Sequence, residues 1–166
     1  MGVIKAINPK ESSDGLYQKL IKLLKNEKIN YQQFEHKPVF TSQEAAKVRK
    51  TKIEQGAKAL VMLADKKPIL LVLSAAKNVD SHQFKKLFKI KDLRMATENE
   101  VKKFTGVEIG AVPPFGNLMD LEVYADQSLG KNKKIVFSAG LHTKSIRMLF
   151  KDWSDITGPR FATFSK

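Results

Sequence analysis

Three short segments of the sequence carry residues whose types and spacing could do chemistry. In the first, GAKAL, Lys58 interrupts an otherwise apolar stretch and follows Gly56 by two residues. A lysine in a strand can hold a phosphate or carboxylate as a point charge, and a neighbouring glycine lets a ligand approach the backbone. From this segment alone, however, an outward-facing lysine in simple strand alternation is the simpler interpretation.

The second segment, GAVPPFG, spans residues 110–116 and combines two glycines with two consecutive prolines. Gly110 can adopt a positive φ, and Pro113 and Pro114 restrict the chain after it. A rigid loop of this kind can direct backbone N–H groups at a substrate carbonyl or hold a water molecule, as an oxyanion site requires. A stiff surface connection would have the same composition.

The third segment, FSAGLHTKSI, places Ser138 four residues before His142. These two residues could form a nucleophile and its base, but the G-x-S-x-G turn is absent and no acid is placed to orient the histidine. A covalent serine hydrolase is therefore not predicted. The histidines at 36 and 82 have no metal-ligand spacing, and no glycine-rich phosphate motif occurs, so we expect neither a metal site nor a cofactor.

The composition restricts the class of protein. A chain of 166 residues suits one domain with one core, and the absence of cysteine excludes disulfides, thiolate metal sites and a cysteine nucleophile. The longest apolar run, residues 68–73, is too short for a membrane helix, which needs about 20 residues. The formal net charge of +13, carried mostly by lysine, favours a polyanion bound through its phosphates. Lysine that only solubilises the surface is the alternative.

Local patterns predict short helices and strands in a mixed order. Capping residues and apolar periodicity predict helices over about 13–28, 41–49, 81–90, 97–105 and 151–156. Apolar or alternating runs predict strands over 31–36, 57–64, 68–74, 121–126, 134–140 and 143–150. Strands two and three should form a hairpin. Without regular strand–helix–strand alternation, an α+β domain is favoured, with a curled, mixed, largely antiparallel sheet flanked by short helices.

Two finer predictions concern the first residues and the third helix. Residues 1–12 are expected to be a flexible lead, and residues 13–166 a single domain. In the helix SHQFKKLFKI, the spacing of Phe84, Leu87 and Phe88 predicts that all three face the core.

In their order and spacing these segments resemble the YbaK/prolyl-tRNA-synthetase-associated editing domain family. The resemblance covers about residues 16–156 and is carried by TSQEAAKVR, GAKALVM, ILLVLS, ATENEVKKFTGVEIGAVPPFG and FSAGLHTKSI. The GAKAL lysine together with the G-x-x-x-P loop is typical of that family. The resemblance implies a cytoplasmic aminoacyl-tRNA deacylase, free-standing or attached to a synthetase. Its substrates would carry alanine, cysteine or serine, often on proline-specific tRNA.

The resemblance also implies roles for single residues. Lys58 and Gly110 would be the catalytic pair: Lys58 would contact the phosphate or ribose of the terminal adenosine, and the Gly110 backbone would position the carbonyl or the attacking water. The implied substrate-binding residues are Phe34, His36, Val112, Pro113, Pro114, Ser138, Gly140 and His142. Because the ribose hydroxyl of tRNA can assist proton transfer, no side-chain base, metal or cofactor is required.

The implied partners are the acceptor end of tRNA and a prolyl-tRNA synthetase, with a monomer as the expected state and no membrane contact. Phe34 stands where some relatives have a tyrosine and Ser145 where some have an aspartate, which argues against the branch that removes cysteine. A catalytically weak tRNA- or synthetase-binding module of the same fold is the alternative function.

Overall fold

The structure, a computed structural model, describes residues 9–166. Its helices are α1 (Pro9–Asn26), α2 (Ser42–Arg49), α3 (Ser81–Phe88), α4 (Glu98–Thr105) and α5 (Phe150–Thr157). Its strands are β1 (Tyr31–Glu35), β2 (Ala57–Ala64), β3 (Lys67–Ser74), β4 (Leu93–Met95), β5 (Val123–Asp126), β6 (Lys134–Ser138), β7 (Lys144–Leu149) and β8 (Arg160–Ala162). Short 3₁₀ turns span Ile53–Gln55, Gly116–Leu118 and Gln127–Lys131.

The strands divide between two sheets. One has the order β1-β7-β6 and is antiparallel throughout. The other has the order β4-β2-β3-β5-β8, with antiparallel pairs on the β2 side and parallel pairs on the β5 side. A parallel bridge between Gly56 and Val136 joins the two sheets. The predicted α+β class, with mixed and largely antiparallel pairing and short helices, is confirmed.

The core lies on both faces of the β2–β3 hairpin. Leu70 and Val72 of β3 pack into one cluster with the buried face of α1, while Ile69 and Leu71 pack into a second cluster with α3. Burial on both faces explains why β3 is almost continuously apolar instead of alternating. The hairpin that the sequence predicts is therefore confirmed, and it forms the rigid centre of the domain.

Helix α3 buries a narrower stripe than its sequence predicts. Phe84 is fully buried and its ring lies 4.8 Å from that of Phe88, but Leu87 is 44% exposed. The prediction that Leu87 faces the core is wrong, because only the i, i+4 pair of this two-turn helix reaches the sheet.

The helix starts next to the site follow their local signals. The Thr41 hydroxyl accepts a hydrogen bond from the Glu44 amide at 3.1 Å, and Thr97 caps α4 in the same way. Helix α1 begins at Pro9, before the caps expected at residues 12–14, and residues 1–8 of the expected lead lie outside the described residues. Within the described range, no helix has both the length and the apolar composition needed to cross a bilayer.

Candidate functional site

A cavity of about 210 Å³ opens between α2, the first half of β2 and the loop that precedes Gly116. Four of the residues singled out in the sequence line it: Lys58, Gly110, Val112 and Ser138. Among the described residues that line it, Arg49, Lys52 and Lys58 are cationic, and none is aspartate, glutamate or histidine. The cavity is thus electropositive and has no lining carboxylate or imidazole that could act as a base.

Lys58 lines the cavity just beyond the bridge between the two sheets. Gly56 pairs with Val136 at that bridge, and a Cβ at residue 56 would lie 2.9 Å from the Cβ of Ala75, so a larger residue does not fit without displacement. Two residues further along the strand, Lys58 is half-buried and forms no ion pair with a described carboxylate. Burial lowers the pKa of its ammonium group. The side chain lies in the cavity wall, not on an outer face.

Gly110 has the positive φ that the sequence predicts, at +87°. A Cβ there would be strained and would lie 3.3 Å from Cε1 of His142. The backbone N–H groups of Gly110 and Val112 donate no hydrogen bond to another described residue. This part of the loop therefore offers free amide donors beside the cavity, the arrangement that an oxyanion or a bound water needs.

The two prolines lie behind the cavity instead of lining it. Pro113 and Pro114 are buried, and the carbonyl of Pro114 accepts a hydrogen bond of 2.8 Å from the indole N–H of Trp153. Gly140, at φ +96°, donates its N–H to the carbonyl of Ala111 at 2.9 Å. These contacts fix the loop from its buried side.

His142 also supports the loop from outside the cavity lining. Its Nδ1 lies 3.0 Å from the carbonyl oxygen of Val39, its Nε2 lies 3.3 Å from a carboxylate oxygen of Glu108, and its ring packs at 4.6 Å on that of Phe40. Each ring nitrogen faces an oxygen acceptor, and the nitrogen that carries a proton donates to the oxygen it faces. His142 thereby joins the segment before α2 to the Gly110 loop.

A chain of hydrogen bonds reaches the cavity at Arg49 and Ser138. His36 Nδ1 lies 2.8 Å from the carbonyl oxygen of Lys37, so in the neutral ring Nδ1 donates and Nε2 accepts from the hydroxyl of Ser145 at 2.8 Å. The same Ser145 oxygen accepts from Nε of Arg49 at 2.8 Å, and Nη2 of Arg49 donates to the Ser138 oxygen at 3.3 Å. The two serines are direct partners across β6 and β7, which lets one guanidinium reach both.

Arg49 is the functional candidate that the sequence analysis missed. Burial lowers its pKa to about 10, and no described carboxylate lies within ion-pair distance of it. A signal did exist: Arg49 follows the buried Ala45 by four residues and so shares its face of α2. Because lysines stand at positions 47 and 50, the end of this helix has the composition of an ordinary basic surface, and the signal is easily overlooked.

The remaining predicted residue, Phe34, lies in the same cross-strand row but outside the lining. It pairs with Ser145 in β7, and the guanidinium of Arg147 lies 5.4 Å from its ring centre. The rim of the cavity is instead apolar and exposed at Phe40, Met95 and Ile109, which the sequence analysis did not single out. Among the side chains of residues 15–166, no three metal-ligating groups cluster closely enough to hold an ion.

Comparisons with known proteins identify the family of this chain. The model of the family described as aminoacyl-tRNA editing domain matches residues 36–156. The multifunctional Ser/Thr-tRNA deacylase ProXp-y of Escherichia coli K12 is 30% identical over 155 residues, covering 90% of this chain and 93% of that protein. A proline–tRNA ligase of Dehalococcoides mccartyi is 31% identical over 106 residues, which are 62% of this chain and 18% of the ligase.

Solved structures establish the fold. The hypothetical protein APE2540 superimposes with a TM-score of 0.81 at 23% identity, covering 89% of this chain and 99% of that one. A proposed trans-editing enzyme for prolyl tRNA synthetase superimposes with a TM-score of 0.79 at 24% identity, covering 97% of this chain and 99% of that one.

Proposed function

Since the chain belongs to the aminoacyl-tRNA editing domain family, we propose that it is a deacylase that hydrolyses the ester bond of tRNA charged with a wrong, small amino acid. One observation carries the proposal: Lys58 and Gly110, distant in sequence, line the same cavity. In this arrangement Lys58 holds the phosphate or ribose of the terminal adenosine. The amide groups of the Gly110 loop then face the ester carbonyl or the attacking water.

The lining chemistry supports hydrolysis without a side-chain base. No described lining residue is acidic or a histidine, so the proton of the attacking water has no obvious acceptor on the protein. A hydroxyl of the substrate's own ribose can take that part, and the protein contributes orientation and charge stabilisation. Orientation alone can contribute on the order of 7–11 kcal/mol in the best intramolecular reactions.

The walls of the cavity support a small aminoacyl group. Small side chains line the α2 side, at Ala45 and Ala46, and the volume of about 210 Å³ must also accommodate part of the ribose. The Ser138 hydroxyl accepts from Arg49 and keeps its own proton for a substrate oxygen. Serine and alanine esters are therefore the first proposed substrates, and threonine is included because the E. coli relative is named a Ser/Thr-tRNA deacylase. Cysteine is of similar size, but Phe34 and Ser145 place it after these.

The acceptor end of tRNA is the proposed partner, with proline-specific tRNA as the first candidate because prolyl synthetases are among the relatives. The net charge of +13 supports contact with the phosphates of the acceptor stem. The exposed Phe40 at the rim offers a face on which the terminal base can stack.

The deciding experiment is a panel of seryl-, threonyl-, alanyl- and cysteinyl-tRNA esters on proline-specific and on cognate tRNA, with the rate of ester loss measured for each. We expect hydrolysis of at least one small ester. We also expect Lys58→Ala to reduce its rate at least about 100-fold, while Lys86→Ala, on the exposed side of α3, leaves the rate unchanged. If no ester is lost faster than in buffer, while a known deacylase is active, the proposal is wrong.

The binding module is the second candidate function, and the net charge of +13 favours it. Its signature would be a gel shift of tRNA that depends on salt concentration, without any ester loss across the panel.

A further inference from the structure

Arg49 is the last residue of α2, and its side chain turns into the domain instead of extending into solvent. It is held at two points, by Ser145 through Nε and by Ser138 through Nη2. Ser138 and Arg49 both line the cavity, so the fixed guanidinium borders the space that a ligand would occupy.

The charge of Arg49 is not neutralised by the protein. Both of its hydrogen-bond partners are neutral hydroxyls, and no carboxylate among residues 15–166 forms an ion pair with it. Removing a cation from water without a counter-charge is costly. At a pKa of about 10 the group is nevertheless still protonated at neutral pH. A ligand that brings a negative charge would recover this cost.

Arg49 and Lys58 line the same cavity. At the bridge between the sheets Gly56 pairs with Val136, and two residues further along these parallel strands come Lys58 and Ser138. Lys58 and Ser138 both line the cavity, so the lysine and the serine that holds the guanidinium border the same space. Two cations thus converge on a space without a lining carboxylate.

From this geometry we propose that Arg49 is a second anion-binding residue of the cavity, which grips a phosphate oxygen of the 3′-terminal nucleotide together with Lys58. The planar fork of arginine matches the geometry of a phosphate, and two of its donors, already fixed by serines, orient the others. This proposal rests on the proposed deacylase function only for the source of the phosphate, which is the acceptor end of tRNA. A free nucleotide would present the same group.

The direct test measures binding of adenosine monophosphate, inorganic phosphate and adenosine, which has no phosphate, to the full chain by NMR titration. The wild type should bind the monophosphate more tightly than adenosine. Arg49→Gln should weaken monophosphate binding at least about tenfold, with adenosine binding unchanged. Lys86→Gln, which removes the same charge from an exposed site on α3, should leave all three unchanged. Arg49→Lys should recover only part of the affinity, because it restores the charge but not the fork.

A purely structural Arg49, needed only to hold the two serines, would give a different result. Arg49→Gln would then lower the unfolding temperature without changing monophosphate affinity, and that outcome overturns the proposal. If Arg49→Gln fails to fold, Ser138→Ala decides in its place, because it removes one of the two hydrogen bonds that fix the guanidinium and keeps its charge. A monophosphate affinity within twofold of the wild type would then contradict the proposal that a fixed guanidinium binds the phosphate. A wild type that does not distinguish the monophosphate from adenosine also overturns the proposal.

A kinetic experiment distinguishes tRNA from a free nucleotide as the source of the phosphate, and it tests the anion site separately from the proposed deacylase function. With mischarged tRNA as substrate, Arg49→Gln should raise KM about tenfold and change kcat by less than about threefold. A fall in kcat at constant KM would assign Arg49 to the transition state and overturn the phosphate contact. Loss of monophosphate binding in the variant, with no deacylation by the wild type, would uphold the anion site as a free-nucleotide site while the deacylase proposal fails.

Discussion

The two sides of the cavity are held by different kinds of interaction. On the loop side, the shape depends on backbone conformation and packing: Gly110 has φ +87°, and the carbonyl of Pro114 is fixed by the buried Trp153. On the α2 side, the position of Arg49 depends on hydrogen bonds between side chains, through Ser138 and Ser145.

This difference separates two tasks. Packed backbone can hold amide groups to within a few tenths of an ångström, which is what stabilising a developing oxyanion requires. A hydrogen-bonded guanidinium retains charge and some freedom, which suits the capture of a phosphate. Changes on the loop side should therefore act on the rate and on stability, and changes on the α2 side on affinity.

The largest expected effect belongs to Gly110→Ala. An alanine there must adopt a left-handed conformation and meets His142 at 3.3 Å, so the neighbouring amide groups move. We expect kcat for deacylation to fall at least about 100-fold, measured by ester loss at saturating substrate. Gly15→Ala in α1, where an added Cβ meets nothing within 4 Å, is the matched control and should retain full activity. Equal activity of the two variants would contradict the role assigned to the backbone of the Gly110 loop.

Trp153→Phe tests whether the loop is held from its buried side. The substitution leaves the Pro114 carbonyl without its donor and creates a small cavity, so the free energy of unfolding should fall by about 1–3 kcal/mol. Urea denaturation measures this loss, and kcat should fall while KM stays nearly constant. A stable variant with normal kcat would mean that the loop is rigid without this hydrogen bond.

Ser145→Ala should have a moderate effect, confined to binding. It removes the oxygen that joins His36 to Arg49 but leaves Ser138 and the charge in place. We expect the affinity for adenosine monophosphate to fall about three- to tenfold, which corresponds to a net hydrogen bond of about 1 kcal/mol. A decrease in kcat with unchanged affinity would contradict the division of tasks.

The smallest expected effect is a gain in stability from Lys58→Met. Burial lowers the pKa of Lys58, so its charge opposes folding below that lowered pKa, and the penalty disappears as the pH rises past the unfolded value of 10.5. Because Lys58 is only half-buried and solvent screens its charge, we expect a small gain in stability at pH 7, which should shrink towards pH 10.5. Lys86→Met, on exposed surface, provides the reference. A loss of stability at pH 7 would contradict the view that the partly buried charge of Lys58 opposes folding.

Local signals predicted those parts of the fold that are decided locally. The caps at Thr41 and Thr97 and the positive φ at Gly110 follow from side-chain and backbone chemistry within a few residues. The strands β4 and β8 were missed, because each has only three residues, mostly exposed, and neither shows apolar alternation. They exist because the edges of the larger sheet offer unpaired backbone groups, a circumstance that no local pattern records.

What the sequence by itself determined is the set of elements and the chemistry available to them: a lysine beside a glycine in a strand, a glycine–proline loop, and an excess of positive charge. What only the tertiary structure decided is which of these groups share a cavity and which charges lose their water. Lys58 and Gly110 lie far apart in the sequence but line one cavity. Arg49 is one of several basic residues at the end of α2, and its burial against two serines sets it apart from the exposed lysines beside it. Contacts between distant segments decide which charged groups are buried and which groups line the same cavity. A short sequence motif contains neither kind of information.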